Sequence, residues 1–153
     1  MSAVLKPESE LRPMTGADLP AVMAIENAIY AFPWTPGNFR DSLAAGYGCS
    51  VYVRNGELIG YAVLMLASDE AHLLNLSIAA QWQRRGNGSQ LLQRLCEGAR
   101  AQGARLMFLE VRPSNAAGLR LYERHGFQRA GLRRKYYPAQ EGREDALVLA
   151  LPL

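Results

Sequence analysis

Cysteine and histidine are scarce in this chain: two of each, Cys49, Cys96, His72 and His125, in 153 residues. Two distant cysteines make no disulfide framework, and these four side chains have the wrong spacings for a zinc site. No metal is expected. Lysine is as rare: arginine supplies fifteen of the seventeen basic residues behind a net charge of +3. The positive charge is therefore of the planar kind that matches phosphate. Long apolar runs are missing too, since none approaches the roughly 20 residues needed to cross a bilayer. The stretch Met1–Ser9 lacks the basic and then apolar layout of a signal peptide. These absences read as a soluble, cytoplasmic protein with no membrane role. Internal repeats and Pro/Gly-rich linkers are absent as well. With 49% hydrophobic residues, the expectation is a flexible lead over residues 1–9 and a single globular domain over residues 10–153.

What is present is an alternation of short strand and helix patterns. A strand around Glu10–Pro13 precedes a helix capped by Thr15 or Asp18, with Leu19, Val22, Ile25 and Ile29 at helical spacing. Phe32-Pro-Trp34 breaks that helix, and Thr35-Pro36 starts another. Cys49–Arg54, the turn Asn55-Gly56 and Leu58–Leu66 read as a hairpin, which Glu70–Ile78 extends to a meander. A helix over Ser89–Ala101 stops at Gly103. The nearly continuous apolar strand Arg105–Val111 follows, with both faces expected to be buried. A helix over Ala116–His125 stops at Gly126, and Phe127–Arg134 with Asp145–Leu151 closes the chain as a hairpin with a long polar connection. The fold class is α/β (α+β): a mixed, mostly antiparallel sheet with flanking helices.

The most pointed segment is Gln83-Arg-Arg-Gly86-Asn-Gly88-Ser89, set between the strand pattern Ala71–Ile78 and the helix pattern Leu91–Cys96. Glycines let a backbone approach closely, and the first N–H groups of a helix lack partners within it. With the helix dipole behind them, such groups make a cradle for phosphate.

Together with Leu109-Glu-Val-Arg-Pro-Ser-Asn115 and Leu119-Arg-Leu-Tyr122-Glu-Arg-His-Gly126-Phe127, this loop resembles the GNAT family of acetyl-coenzyme A-dependent N-acetyltransferases. The family's pyrophosphate motif, Gln/Arg-x-x-Gly-x-Gly/Ala, is matched by Gln83, Gly86 and Gly88. Narrower blocks are similar to the branch that acetylates the N-terminal alanine of a bacterial ribosomal protein. They are Ala31-Phe-Pro-Trp34, Ser114-Asn-Ala-Ala117, Tyr136-Tyr-Pro138 and Gly142-Arg-Glu-Asp-Ala146. The resemblance runs from about residue 10 to the end. It implies an acyltransferase fold whose central strands splay apart, acetyl-CoA as cosubstrate, and pyrophosphate held on the N–H groups from Arg84 through Arg85, Gly86, Asn87 and Gly88 to Ser89. It also implies pantetheine pairing with the backbone of Leu76, Ser77 and Ile78, where the Ile78 N–H is a candidate oxyanion donor.

Acetyl transfer to an amine requires that the amine lose its proton, that the carbonyl oxygen be stabilised as it gains charge, and that the departing sulfur receive a proton. An α-amine titrates at about 7.7–8.0 and lysine at about 10.4, so a carboxylate acting through water suffices for the former. Glu110 stands in an otherwise apolar strand, where a charge needs a partner or water. The residues alone leave two readings, a general base or an ion pair with a nearby arginine such as Arg112 or Arg105, and the resemblance favours the base. Tyr122 shares a helix face with Leu119 and reads as a core residue unaided; the Asn115-to-Tyr122 spacing resembles the family's placement of the catalytic acid. Asn115 reads as a helix cap and, by resemblance, as a partner of the pantetheine arm. Phe32 and Trp34 are expected as one wall of the acceptor groove, or as a staple between the first two helices, and Tyr136 and Tyr137 as the other wall. Arg84 and Arg85 either add charge at the phosphates or are solvated. Cys96 reads as a core thiol, His125 as a partner of the helix C-terminus and His72 as strand filler.

The function so implied is transfer of acetyl from acetyl-CoA to the N-terminal alanine of a small-subunit ribosomal protein, directly, in a ternary complex. A family member acting on lysine side chains or another amine is the near rival. The cluster Arg129, Arg133, Arg134, Lys135 with Tyr136 and Tyr137 keeps open a different class, a non-catalytic ribosome- or RNA-binding module. Direct nucleic-acid binding is not expected if the glycine motif, Glu110 and Tyr122 act together. Asn87 and Ser89 depart from the family pattern, which a backbone cradle tolerates, and Thr35–Tyr47 follows the narrower branch poorly.

Overall fold

Residues 9–153 are described by the computed structural model. Of the expected lead, residues 1–8 lie outside the described residues, and Ser9 already faces Arg54 in the first strand pair. The strands are β1 (Ser9–Pro13), β2 (Gly48–Arg54), β3 (Glu57–Ala67), β4 (Glu70–Ile78), β5 (Leu106–Val111), β6 (Gln128–Pro138) and β7 (Arg143–Pro152). The helices are α1 (Leu19–Ile29), α2 (Pro36–Ala44), α3 (Asn87–Ala101) and α4 (Ala116–Arg124). One seven-stranded sheet takes the order β1-β2-β3-β4-β5-β7-β6. Every neighbouring pair is antiparallel except β4–β5.

Local chemistry sets the ends of these elements. Thr15 stands at the cap position of a single 3-10 turn over Gly16–Asp18, where its N–H donates to Asp18 Oδ2 at 2.8 Å. Helix α1 follows directly after Asp18, whose side chain makes no capping bond to it. Thr35 accepts from the Asn38 N–H and proline opens α2. Asn55 and Gly56 take φ of 52° and 82°, the positive pair that a two-residue hairpin turn demands.

The sheet buries both faces under helices. On one side α3 and α4 cover a core that includes Leu91, Leu92, Leu95, Cys96, Met107, Leu109 and Phe127. On the other, α1 and α2 cover Val22, Phe39, Cys49, Val51, Tyr61 and Val63. The β5 strand is not buried on both faces as its composition suggested. Met107, Leu109 and Val111 are buried, while Leu106, Phe108 and Glu110 are only half-covered, because α1 and α2 lie over the β2–β3 side and stop short of β5.

The two central strands part. Parallel pairing of β4 with β5 covers only Glu70–Leu73 against Leu106–Leu109. Beyond that point β4 pairs with β3 and β5 with β7. A bulge sits at the fork: Val63 faces Asn75 and Leu64 faces Leu73, so Leu74 is the extra residue. Gly60 is fixed by the same stretch, since a Cβ there would lie 2.7 Å from the Ser77 carbonyl oxygen.

The closing hairpin differs from its expected form. β6 runs on through the tyrosines to Pro138, and only residues 139–142 connect it to β7. A bulge between Arg133 and Tyr137 lets it continue: Lys135 turns to φ 51° and its N–H bonds the Asp145 carboxylate at 2.8 Å.

Candidate active site

The fork between β4 and β5 opens into a cavity of about 750 Å³, within the range that holds small-molecule ligands. Glu110 and Val111 of β5 and Leu74, Asn75 and Leu76 of β4 form its sides. Tyr122 of α4 and Asn115 at its start line it as well, with Tyr30, Phe32 and Trp34 from the α1–α2 connection and Tyr137 from β6. Of the expected acceptor walls, Tyr136 alone lies outside this lining.

Backbone polarity follows from the strand pairing. The Ala79 N–H donates to the Ile59 carbonyl at 2.8 Å, so Ala79 faces β3. Polar groups alternate along an antiparallel strand, and those of Ile78 and Leu76 therefore face the fork. The Ile78 carbonyl is taken by Gln83 Nε2 at 2.9 Å, which ties the glycine loop to the end of β4.

That loop begins after a 3-10 turn over Ala80–Trp82 and ends where Gly86, at φ 82°, caps α3. The helix starts at Asn87, two residues earlier than its apolar pattern implied. Its first internal bond runs from the Gln90 N–H to the Gly86 carbonyl, 3.0 Å, leaving the N–H groups of Asn87, Gly88 and Ser89 without helical partners. Side chains in the loop serve the protein instead. Asn87 is buried and donates to the Trp82 carbonyl at 2.9 Å. Ser89 Oγ lies 2.7 Å from His125 Nε2. Arg85 stacks on Trp82, 5.2 Å from the ring centroid, and Arg84 is exposed. His125 caps the end of α4, and burial lowers its pKa. A backbone cradle joined to a strand with outward polar groups fits an anionic cofactor with a long amide-bearing arm.

Glu110 carries the most pointed signal of the site. Its Oε1 lies 3.4 Å from Arg133 Nε, while its Oε2 is buried with no hydrogen-bond partner. The ion-pair partner is neither Arg112 nor Arg105, because β7 intervenes and brings β6 alongside. Arg112 is engaged elsewhere: it bonds the Pro138 carbonyl at 2.8 Å and Glu144 Oε1 at 3.2 Å. It also lies against the rings of Tyr137 (4.4 Å) and Phe32 (5.2 Å). Arg112 thus joins the two sides of the cavity mouth. Glu144 also accepts from the Ser114 hydroxyl and N–H, and these bonds with Arg112 hold its pKa low.

Tyr122 meets both readings of it. Its ring packs edge-on against Phe127 at 5.6 Å, its residue lines the cavity, and burial raises its pKa. Among the described residues its hydroxyl makes no hydrogen bond. Asn115 is a cap, its Oδ1 accepting from the Gly118 N–H at 3.0 Å, and it also lines the cavity. Trp34 packs on Phe39 at 5.1 Å, which is the staple, and still forms a wall. Phe32 is exposed and staples nothing in the core. Tyr136 packs edge-on against Tyr137 and under Arg133 on the outer flank; after burial, the nearby Glu110 carboxylate is the cause that raises it.

Periodicity overlooked Glu26, Tyr30 and Asn75, and offered Arg112 only as a partner for Glu110. The signal for Glu26 was available: it stands four residues after Val22, on the buried helix face, where a charge is out of place.

A profile of the acetyltransferase (GNAT) family matches residues 19–127. The chain is 40% identical over 136 residues to the ribosomal protein bS18-alanine N-acetyltransferase of Escherichia coli (strain K12), covering 89% of this chain and 92% of that protein. The crystal structure of the ribosomal-protein-S18-alanine N-acetyltransferase from Escherichia coli matches with a TM-score of 0.87 and 38% identity, over 94% of this chain and 93% of that one. Arabidopsis thaliana Naa50, in complex with the bisubstrate analogue CoA-Ac-MVNAL, shares the fold at TM-score 0.82 and 19% identity, over 96% and 100% of the two chains. With a forked sheet, a glycine-capped helix start beside it and these relatives, the chain belongs to the GNAT family of acetyltransferases.

Proposed function

We propose that this enzyme acetylates the N-terminal alanine of ribosomal protein bS18, using acetyl-CoA in a ternary complex. The acceptor is supported by the likeness to the bS18-alanine acetyltransferases along nearly the whole of both chains. The chemistry is supported above all by one observation, the buried and unpartnered Oε2 of Glu110 at the fork. An enzyme acting on a ribosomal protein works in the cytoplasm.

The N–H groups of Asn87, Gly88 and Ser89 would hold the pyrophosphate, and the fork-facing polar groups of Leu76 and Ile78 the pantetheine. Bound there, acetyl-CoA supplies the acetyl thioester that the acceptor amine attacks. Glu110 takes the amine's proton through a water molecule; an α-amine at about 7.7–8.0 releases it readily near neutral pH. The Ile78 N–H points into the fork and donates to the oxygen on which charge collects. Tyr122 has its pKa raised by burial, so full proton loss to a sulfur whose conjugate acid lies near 8.5, judged by cysteine, is uphill. Its part is a hydrogen bond donated to that sulfur as negative charge builds.

The test is acetyl-CoA turnover with a peptide bearing the bS18 N-terminus, beside copies with a blocked amine and with an internal lysine. Activity confined to the free N-terminal alanine, and reduced about 10²–10⁴-fold in kcat by Glu110→Gln, is the expected result. Turnover of the blocked, lysine-bearing copy would replace this acceptor with a side chain.

A further inference from the structure

Glu26 is 1% exposed, and among the described residues it is the only charged side chain in the buried interior. A carboxylate so placed costs several kcal/mol unless donors surround it. Three do, from three segments other than its own helix. The Tyr61 hydroxyl on β3 donates to Oε1 at 2.6 Å, Asn75 Nδ2 on β4 donates to the same oxygen at 3.3 Å, and the Trp34 N–H donates to Oε2 at 2.9 Å. Burial and this bond to Glu26 raise the Tyr61 phenol, which keeps its proton and stays the donor in the bond to the carboxylate.

From Asn75 the bonding continues in one direction only. Because Asn75 donates its amide to Glu26, its Oδ1 is an acceptor, and Ser77 Oγ donates to it at 2.6 Å. With the serine proton so committed, the Tyr30 hydroxyl, 2.6 Å from Ser77 Oγ, must be the donor in that contact. A hydroxyl has one proton and two lone pairs. The same proton reaches the Leu76 carbonyl, which faces the fork, only as a long second donation of 3.4 Å, so what the Tyr30 oxygen has left to offer the cavity is its capacity to accept. Tyr30 lines the cavity that Glu110 and Tyr122 also line. A lone pair fixed at the fork beside a carbonyl oxygen calls for a donor from the cavity, and the acceptor amine is the donor the reaction brings.

We propose that Tyr30 is a further acceptor-binding residue, whose hydroxyl oxygen takes a hydrogen bond from the incoming amine. Glu26 is its positioning residue, acting through Asn75 and Ser77 by fixing the direction of every hydrogen bond between them. The relay also ties Trp34, on the acceptor wall, to the carboxylate that orients Tyr30. Chains of this kind polarise each member in turn.

The inference rests on the enzyme's use of an amine acceptor, not on which acceptor it is. The measurement is therefore made with whichever peptide of the panel the parent enzyme acetylates, so a wrong peptide assignment leaves it intact. Tyr30→Phe removes only the hydroxyl and is expected to raise the peptide KM about tenfold, consistent with one hydrogen bond, with acetyl-CoA Kd within about twofold of the parent. In Glu26→Gln an amide offers one acceptor oxygen where donors approach from two sides, and a several-fold rise in the same KM is expected. In the double variant Glu26→Gln should add nothing to Tyr30→Phe, because it acts through that hydroxyl. If Glu26→Gln does not fold, Ser77→Ala takes its place in the cycle. A peptide KM unchanged in Tyr30→Phe, or a parallel loss of acetyl-CoA affinity, overturns the acceptor role. Additive effects in the double variant overturn the relay.

Discussion

Single side chains in this enzyme are tuned by the bonds they are denied as much as by those they make. Glu110 keeps one oxygen against Arg133 and the other buried without a hydrogen-bond partner. Tyr122 is raised by burial and holds its proton across the neutral range. Tyr122→Phe keeps the ring's packing on Phe127 and should lower kcat about a hundredfold, with no new limb near neutrality in the pH–rate profile; single-turnover kinetics would separate this from slow product release. Asp18 shows the opposite shift. The Arg12 guanidinium, followed by the Thr15 N–H, lowers its carboxyl from 3.8 to about 2. A depressed carboxyl contributes stability that is complete above the unfolded value and is lost as pH falls through the folded one. Asp18→Asn should therefore lower the urea midpoint at pH 7, and the gap to the parent should narrow between about pH 4 and pH 2.

Among the elements, the turn into α3 carries the heaviest constraint. Gly86 caps the helix at φ 82°, a conformation that costs an L-residue roughly 1–2 kcal/mol. Gly86→Ala should raise the acetyl-CoA KM about tenfold while leaving the peptide KM near the parent value, a split readable by varying each substrate in turn. Equal changes in both would mean that the loop serves the whole fold rather than the cofactor. The fork is the second such feature, made by one bulged residue, Leu74, after which β4 stays with β3 while β5 stays with β7, its partner along its whole length. Four parallel pairs hold the strands together on one side of it, and none does on the other. Arg112 spans the mouth from Phe32 to Tyr137, so the loop after α1 and the closing hairpin are fixed to one another across the cavity mouth.

For the molecule as a whole, one sheet separates two cores, and each holds one cysteine. Cys96 lies on the buried face of α3, and Cys49, on β2, lies in the core under α1 and α2. Burial raises both thiols, and reaction with an aromatic disulfide reagent requires the thiolate. Native protein should show no fast-reacting thiol, and both should react once denaturant unfolds the chain. A fast thiol in native protein would mean that one of the two helical layers opens on its own.

The order of elements, the cap at Thr35, the Asn55-Gly56 hairpin and the glycine loop were all set by local chemistry, which is why they were legible in residues close together in the chain. The cap at Gly86 was not, because the apolar pattern begins later than the helix. Glu110 could be singled out because its charge conflicts with an apolar strand, whereas Tyr122 reads as core by its spacing and was singled out only by the family resemblance. The pairing of Glu110 with Arg133, the half-covered face of β5 and the run of β6 past its bulge were not legible. Each depends on which strand lies beside which, and β7, arriving last in the sequence, inserts between β5 and β6. The Tyr30–Ser77–Asn75–Glu26 relay lay further out of reach. Glu26 and Asn75 stand 49 residues apart along the chain, and Tyr30 and Ser77 stand 47 apart. Only a folded sheet with α1 laid across it brings a helix carboxylate to the strand that borders the fork.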